Sequence, residues 1–288
     1  MLLKKGDCLE LMRELKDKSI DLILCDIPYG TTACKWDVVI PFDLMWEQIK
    51  RIRKDNAATL LFGSEPFSSY LRMSNIEEYK YDWIWDKKRV SNPMLAKKMP
   101  LKNYEIISVF YKNQPIYNPI PTKKSTGVGL SKKGHLEEHQ TDTTDKAKLI
   151  TRRDYTDIGY PKMLLTDIKV INNLTTDKSG LHPTQKPIEL NEYFIKTYTN
   201  ENDVVLDFTM GSNPCGVACK NTNRNFIGFE LNDEYFKIAC ERLNYTPKES
   251  VNLDTFQKEN YNINKIDVEE KQSNPTPIKI IEDENFWD

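Results

Sequence analysis

An α/β fold on a mostly parallel central sheet is what this sequence predicts, and three observations predict it. Short, almost wholly apolar runs at 22–25, 57–62 and 204–206 read as buried strands, since a strand covered on both faces has no need of polar alternation. Helical spacing appears between them, as at 42–53, where apolar residues fall at 42, 45, 46, 49 and 52. Finally, residues 204–230 run as strand, glycine-bearing turn, helix and second strand ending in an acid.

The elements follow in chain order. After Leu2 to Gly6, Asp7 precedes apolar positions at Leu9, Leu11, Met12 and Leu15, an amphipathic helix with Asp7 as its N-cap. The strand at 22–25 ends in Asp26-Ile27-Pro28-Tyr29-Gly30, and the polar stretch 31–37 reads as a segment over whatever that loop binds. A helix at 42–53 and a strand at 57–62 follow; Ser64 is the expected cap of the next helix, with Pro66 in its first turn. Residues 81–86 and 105–111 read as strands, 188–198 as a helix and 232–243 as another. Pro214 suits the first turn of the helix after the glycine-bearing loop.

The 288 residues are 39% apolar, enough for one large domain or two small ones, and the formal net charge is −2. No stretch approaches the length of a membrane span, and the N-terminus turns polar too soon for a signal peptide. The six cysteines contain no C-x-x-C pair, so no structural zinc or disulfide is expected and the reading is cytoplasmic. His135 and His139 stand i, i+4 in a polar stretch without cysteines nearby and are read as solvated, with no metal site. Charge is segregated: residues 80–133 hold twelve basic residues against three acids, a net of +9, as expected of a surface that meets phosphates. Lys87, Lys88, Arg89, Lys97 and Lys98 are the candidate DNA contacts. From Thr246 onward ten acids face five lysines, an acidic tail expected to be largely disordered.

Two loops carry the chemistry. In open α/β sheets ligands bind at the carboxyl ends of strands. Asp26-Ile27-Pro28-Tyr29 at such an end offers a carboxylate, a carbonyl and a flat ring, a set suited to holding a planar base by its exocyclic amine. The second loop is Asp207-Phe208-Thr209-Met210-Gly211-Ser212-Asn213, and about twenty residues after Asp207 comes Glu230, the layout that holds an adenosine-containing cofactor with the acid on the ribose hydroxyls. There is no G-x-G-x-x-G, and Asp207 stands where a pyrophosphate would be repelled. A cationic, phosphate-free cofactor suits this loop, and S-adenosylmethionine is one. A nicotinamide dehydrogenase is disfavoured on the same grounds.

With His182-Pro183-Thr184-Gln185-Lys186-Pro187, these motifs resemble those of the amino-methylating DNA methyltransferases, whose catalytic loop reads D/N/S-P-P-Y/F and whose cofactor loop reads D-x-F-x-G-S-G. The order, catalytic loop before cofactor loop, is similar to the family's β group. The resemblance spans roughly residues 1–245. It implies a Rossmann-like, S-adenosylmethionine-dependent methyltransferase fold divided into a catalytic half (1–112), an irregular target-recognition insertion (113–180), a cofactor-binding half (181–245) and the tail (246–288). It also implies catalysis by Asp26, Ile27, Pro28 and Tyr29. Cofactor contacts are expected from Asp7, Cys8, Asp26, His182, Thr184, Lys186, Asp207, Phe208, Thr209, Gly211, Ser212, Glu230 and Leu231, with Lys186 on the cofactor's carboxylate. The expected partner is double-stranded DNA in a prokaryotic or phage setting; a homodimer and a cognate restriction nuclease would both fit. An Asp at the head of the catalytic loop favours adenine N6 over cytosine N4. A catalytically silent DNA-recognition subunit and an RNA or protein amine methyltransferase are the remaining alternatives. The sequence departs from the family at Ile27, which replaces a proline but keeps the carbonyl, and at Asn213-Pro214, where Asn can still take a left-handed turn.

Overall fold

The computed structural model describes residues 1–30, 37–91, 93–120, 122–123, 158–166 and 185–247. The segment 31–36, most of the insertion, His135, His139, His182, Thr184 and the tail lie outside these residues. Ten strands are present among them: β1 (Leu2–Lys5), β2 (Ile20–Cys25), β3 (Arg53–Gly63), β4 (Tyr79–Ser91), β5 (Lys102–Phe110), β6 (Thr122–Lys123), β7 (Ile158–Gly159), β8 (Leu164–Leu165), β9 (Val204–Asp207) and β10 (Asn225–Glu230). The helices are α1 (Cys8–Arg13), α2 (Phe42–Ile52), α3 (Phe67–Met73), α4 (Ile188–Tyr198), α5 (Pro214–Asn221) and α6 (Asp233–Leu243).

Eight strands form one sheet in the order β1-β10-β9-β2-β3-β5-β4-β8. Pairing is parallel from β1 through to β3 and between β4 and β8, and antiparallel on both sides of β5. β8 comes from the stretch expected to be irregular and adds a short edge strand to β4. β6 and β7 pair separately.

Alternation along the central strands sorts the core into two layers. Leu22, Leu24, Leu60, Phe62, Val205 and Phe226 pack with Leu190, Phe194, Ala218 and Ala239 of α4, α5 and α6. Ile23, Cys25, Leu61, Leu206, Ile227 and Phe229 pack on the other face with Leu11, Met45, Ile49, Phe67 and Leu71 of α1, α2 and α3. The result is a three-layer α/β/α sandwich, which is why these strands read as unbroken apolar runs. α4 is pinned to the sheet by Tyr198, whose buried hydroxyl accepts from Trp83 Nε1 at 2.7 Å and lies 2.8 Å from the Tyr81 hydroxyl.

One local expectation is corrected. Ser64 does not cap α3; the N-cap position is Pro66, with no side-chain cap. The Ser64 hydroxyl instead accepts from the Lys102 ammonium, and the Ser69 N–H is shared between the Pro66 carbonyl at 3.1 Å and Glu65 Oε2 at 3.2 Å. The partner that diverts Ser64 lies on β5, beyond the reach of a local capping rule.

Candidate active site

β2 and β9 are neighbours, but their connections leave in opposite directions, β2 through α2 to β3 and β9 through α5 to β10. That divergence opens the crevice at the carboxyl ends where ligands of such sheets bind. Every described residue singled out above for catalysis or cofactor binding faces one cavity of about 940 Å³ there. Asp7 and Cys8 come from the start of α1, Asp26 to Tyr29 from the end of β2, Lys186 from the approach to α4, Asp207 to Ser212 from the end of β9, and Glu230 and Leu231 from the end of β10.

The β2 loop is held from several sides. Asp26 Oδ1 accepts from the Tyr29 hydroxyl and Oδ2 from Lys186 Nζ, each at 2.6 Å. Its backbone carbonyl accepts from Thr209 Oγ1 at 3.2 Å, which ties the two loops together. The N–H groups of Tyr29 and Gly30 both donate to Asp37 Oδ1 at 2.8 Å, and Gly30 takes φ +67°, a conformation glycine adopts without cost. These bonds hold the loop where the missing first proline would otherwise have stiffened it. The Tyr29 ring lies 5.0 Å from that of Phe67, centroid to centroid. Burial, then the Asp26 and Glu105 carboxylates, push the Tyr29 hydroxyl well above its ordinary value, so it acts as a neutral donor.

The β9 loop is built for backbone exposure. Gly211 sits at φ +52° and donates its N–H to Glu230 Oε2 at 2.9 Å; Glu230 Oε1 accepts from the Asn232 N–H at 2.8 Å. Asn213 takes φ +64° and its Oδ1 caps α5 through the Gly216 N–H at 2.8 Å, so the altered glycine-loop sequence keeps the turn. Ser212 is fastened by Gln185 and by Arg242, which donates to its carbonyl at 2.7 Å. Asp207 is 5% exposed and accepts from the Thr209 N–H at 3.1 Å. Burial pushes its carboxyl up to about 7 against the lowering effect of that bond. Burial likewise raises Glu230. Cys8 is raised to about 12, first by burial and then by Asp7, whose own carboxylate caps α1 through the N–H groups of Leu9 and Glu10. Among the described residues no cation pairs with Asp207 or Glu230. A cavity walled by Asp7, Asp207 and Glu230 suits a cationic ligand and opposes a pyrophosphate.

Two lysines do not stand as the sequence suggested. Lys186, expected to meet a cofactor carboxylate, is 7% exposed and bridges Asp26 at 2.6 Å and Glu105 at 3.2 Å. Lys87, expected to face DNA, turns into the cavity and pairs with Glu105 at 2.7 Å. The reason is register: β5 runs antiparallel, so its first residues lie at the same edge as the carboxyl ends of β2 and β9, and Glu105 stands opposite Trp85, two residues before Lys87. Lys88 pairs with Asp86, Lys97 and Lys98 are exposed beyond the short turn Pro93–Leu95, and Arg89 lies within β4. Glu105 and Asp37 escaped sequence reading. The visible signal for Glu105 was an acid heading an apolar strand; Asp37 follows the unremarkable polar stretch.

The sequence profile of a DNA methylase family, N6_N4_Mtase, matches residues 20–241. The type II methyltransferase M.HpaI of Haemophilus parainfluenzae is 48% identical over 257 residues, covering 83% of this chain and 72% of its own. The DNA adenine methyltransferase YhdJ of Escherichia coli K12 is 26% identical over 254 residues, 83% of this chain and 81% of its own. Among solved structures, the M1.HpyAVI–SAM complex superposes with a TM-score of 0.55 at 26% identity, covering 84% of this chain and 98% of that one. With the profile running from β2 to α6 and both loops meeting in one crevice, this chain belongs to the N6/N4 DNA methylase family.

Proposed function

We propose that this chain transfers a methyl group from S-adenosylmethionine to the N6 amine of an adenine flipped out of duplex DNA at a specific sequence. The observation that carries the reading is the meeting of the Asp26–Tyr29 loop with the acidic Asp207–Ser212 loop across neighbouring strands. Bound S-adenosylmethionine supplies an electrophilic methyl carbon. Asp7, Asp207, Glu230 and the Gly211 turn would hold it, the carboxylates serving its positive charge and its hydroxyls. A base within a duplex is out of reach, so it enters the cavity unstacked.

Tyr29 offers the ring on which that base stacks, backed by Phe67. Asp26 and the Ile27 carbonyl accept the two amine hydrogens. Two acceptors favour a pyramidal nitrogen whose lone pair, otherwise delocalised into the ring, can be directed. Holding the reactants in line is worth up to roughly 7–11 kcal/mol in well-oriented systems. Adenine is preferred over cytosine because an Asp heads the catalytic loop, and the similarity to an adenine methyltransferase supports the choice. Lys97 and Lys98, both exposed, form the basic approach to the phosphates. The test is transfer from methyl-labelled S-adenosylmethionine to unmethylated duplex DNA with nucleoside mass spectrometry. N6-methyldeoxyadenosine is expected. N4-methyldeoxycytidine overturns the base, and bound cofactor without labelled DNA overturns the activity.

A further inference from the structure

Glu105 is a half-buried carboxylate that the transfer chemistry above does not use. Its Oε1 takes Lys87 at the cavity side, and its Oε2 lies 3.2 Å from Lys186 Nζ, close enough for ion pairing though not aligned as a hydrogen bond. Lys186 is enclosed: its ammonium has Asp26 on one side, Glu105 on another, and the Phe62 ring 5.2 Å away. The two carboxylates come from β2 and β5, with β3 between them, and the lysine from the other side of the chain's insertion.

Charge decides what this arrangement does. Asp26 with Lys186 alone is a neutral pair, and a neutral pair is a poor acceptor for an amine about to become cationic. As the amine lone pair forms the N–C bond, the sulfonium S–C bond breaks to leave a neutral thioether, and the nitrogen carries a positive charge until one of its protons passes to Asp26 or solvent. With Glu105 added, Lys186 is shared between two carboxylates, so its charge no longer cancels that of Asp26 alone. Lys87 takes the opposite oxygen of Glu105 at 28% side-chain exposure, about as open as Asp26 at 31%, so the four groups together are neutral.

We infer that Glu105 is a positioning residue which, by sharing Lys186, keeps the floor of the cavity from turning net positive beneath the reacting amine. The inference rests on the amine-methylation reading above. It assigns Lys186 to holding Asp26 rather than to a cofactor carboxylate. The other charged or titratable groups facing the set are Tyr29 and Asp37 on the β2 side, Asp207 on β9, Lys87 on β4 and Lys102 on β5.

The experiment compares E105Q, K186M and the double variant K186M/E105Q in the full chain. Single-turnover methyl transfer is followed against pH, and cofactor and DNA binding are measured separately. E105Q leaves two ammoniums against one carboxylate and should slow transfer by about tenfold to a hundredfold, the effect of one nearby unit charge at an effective dielectric near 20. Cofactor and DNA affinity should change less than about twofold. The double variant restores the balance of charge and should be faster than E105Q, an outcome that two independent structural losses would not produce. A second readout needs no activity. In carboxyl ¹³C NMR of the ligand-free protein, K186M should move one carboxylate midpoint up by at least about one unit, and the double variant should return it. E105Q at wild-type rate, a double variant slower than both singles, or unmoved carboxylates in K186M each overturn the inference. If wild type labels no base, the amine-methylation reading fails, and the inference that rests on it falls too; a wild type that labels DNA while E105Q turns over normally sinks only the inference.

Discussion

Asp207→Asn should make the ligand-free protein more stable at pH 8 while removing its response to cofactor. Asp207 is nearly enclosed, and burial raises its carboxyl to about 7 in the folded protein. An Asp in the unfolded chain titrates near 3.9. The folded state therefore holds this proton more tightly than the unfolded state. The sign follows: stability from this group is fully present below about pH 4, declines as pH rises toward 7, and is gone above it. The difference of roughly three units corresponds to about 4 kcal/mol at pH 8. Asparagine removes the charge and keeps an acceptor for the Thr209 N–H, but its amide donors are newly buried, costing about 1–3 kcal/mol. The expected net gain is about 1–3 kcal/mol at pH 8, shrinking to nothing or reversing at pH 5. Urea denaturation at the two pH values measures it. Wild type should gain about 2.7 kcal/mol when S-adenosylmethionine is present at one hundred times its dissociation constant, and Asp207→Asn should gain little. A variant less stable than wild type at pH 8, with an unchanged pH slope, would refute the idea that the Asp207 carboxylate lacks a cationic partner in the ligand-free protein.

Asp26→Asn keeps the shape of the loop but replaces one acceptor with a donor; transfer should fall roughly 100- to 10,000-fold with cofactor binding retained, as read by single-turnover kinetics and calorimetry. Replacing Lys97 and Lys98 together by alanine should weaken DNA binding on any sequence and flatten the plot of log affinity against log salt by roughly two, seen in fluorescence anisotropy titrations. Tyr198→Phe strands the Trp83 indole N–H and the Tyr81 hydroxyl beneath α4 and should cost about 1–3 kcal/mol in denaturant unfolding without altering methyl transfer at saturating cofactor.

The two loops were legible because each is local. A carboxylate, a proline and an aromatic ring at the end of an apolar run, or a glycine at φ +52° followed by a capping Asn and a proline, are short-range patterns whose meaning survives without partners. The paired apolar runs likewise declared a sheet covered on both faces, and Asp7 declared the cap that it is. What the sequence by itself could not determine is which side chains face one another across the sheet. Ser64 looked like a cap until β5 brought Lys102 to it, and Lys87 looked like a free phosphate contact until the same strand brought Glu105. Lys186 and Asp26 are 160 residues apart in the chain and 2.6 Å apart in space. Hydrophobic periodicity sets which face of a strand is buried. It does not set strand order or direction, and the antiparallel insertion of β5 among parallel strands decides that Glu105 reaches the carboxyl edge where the ligand would lie.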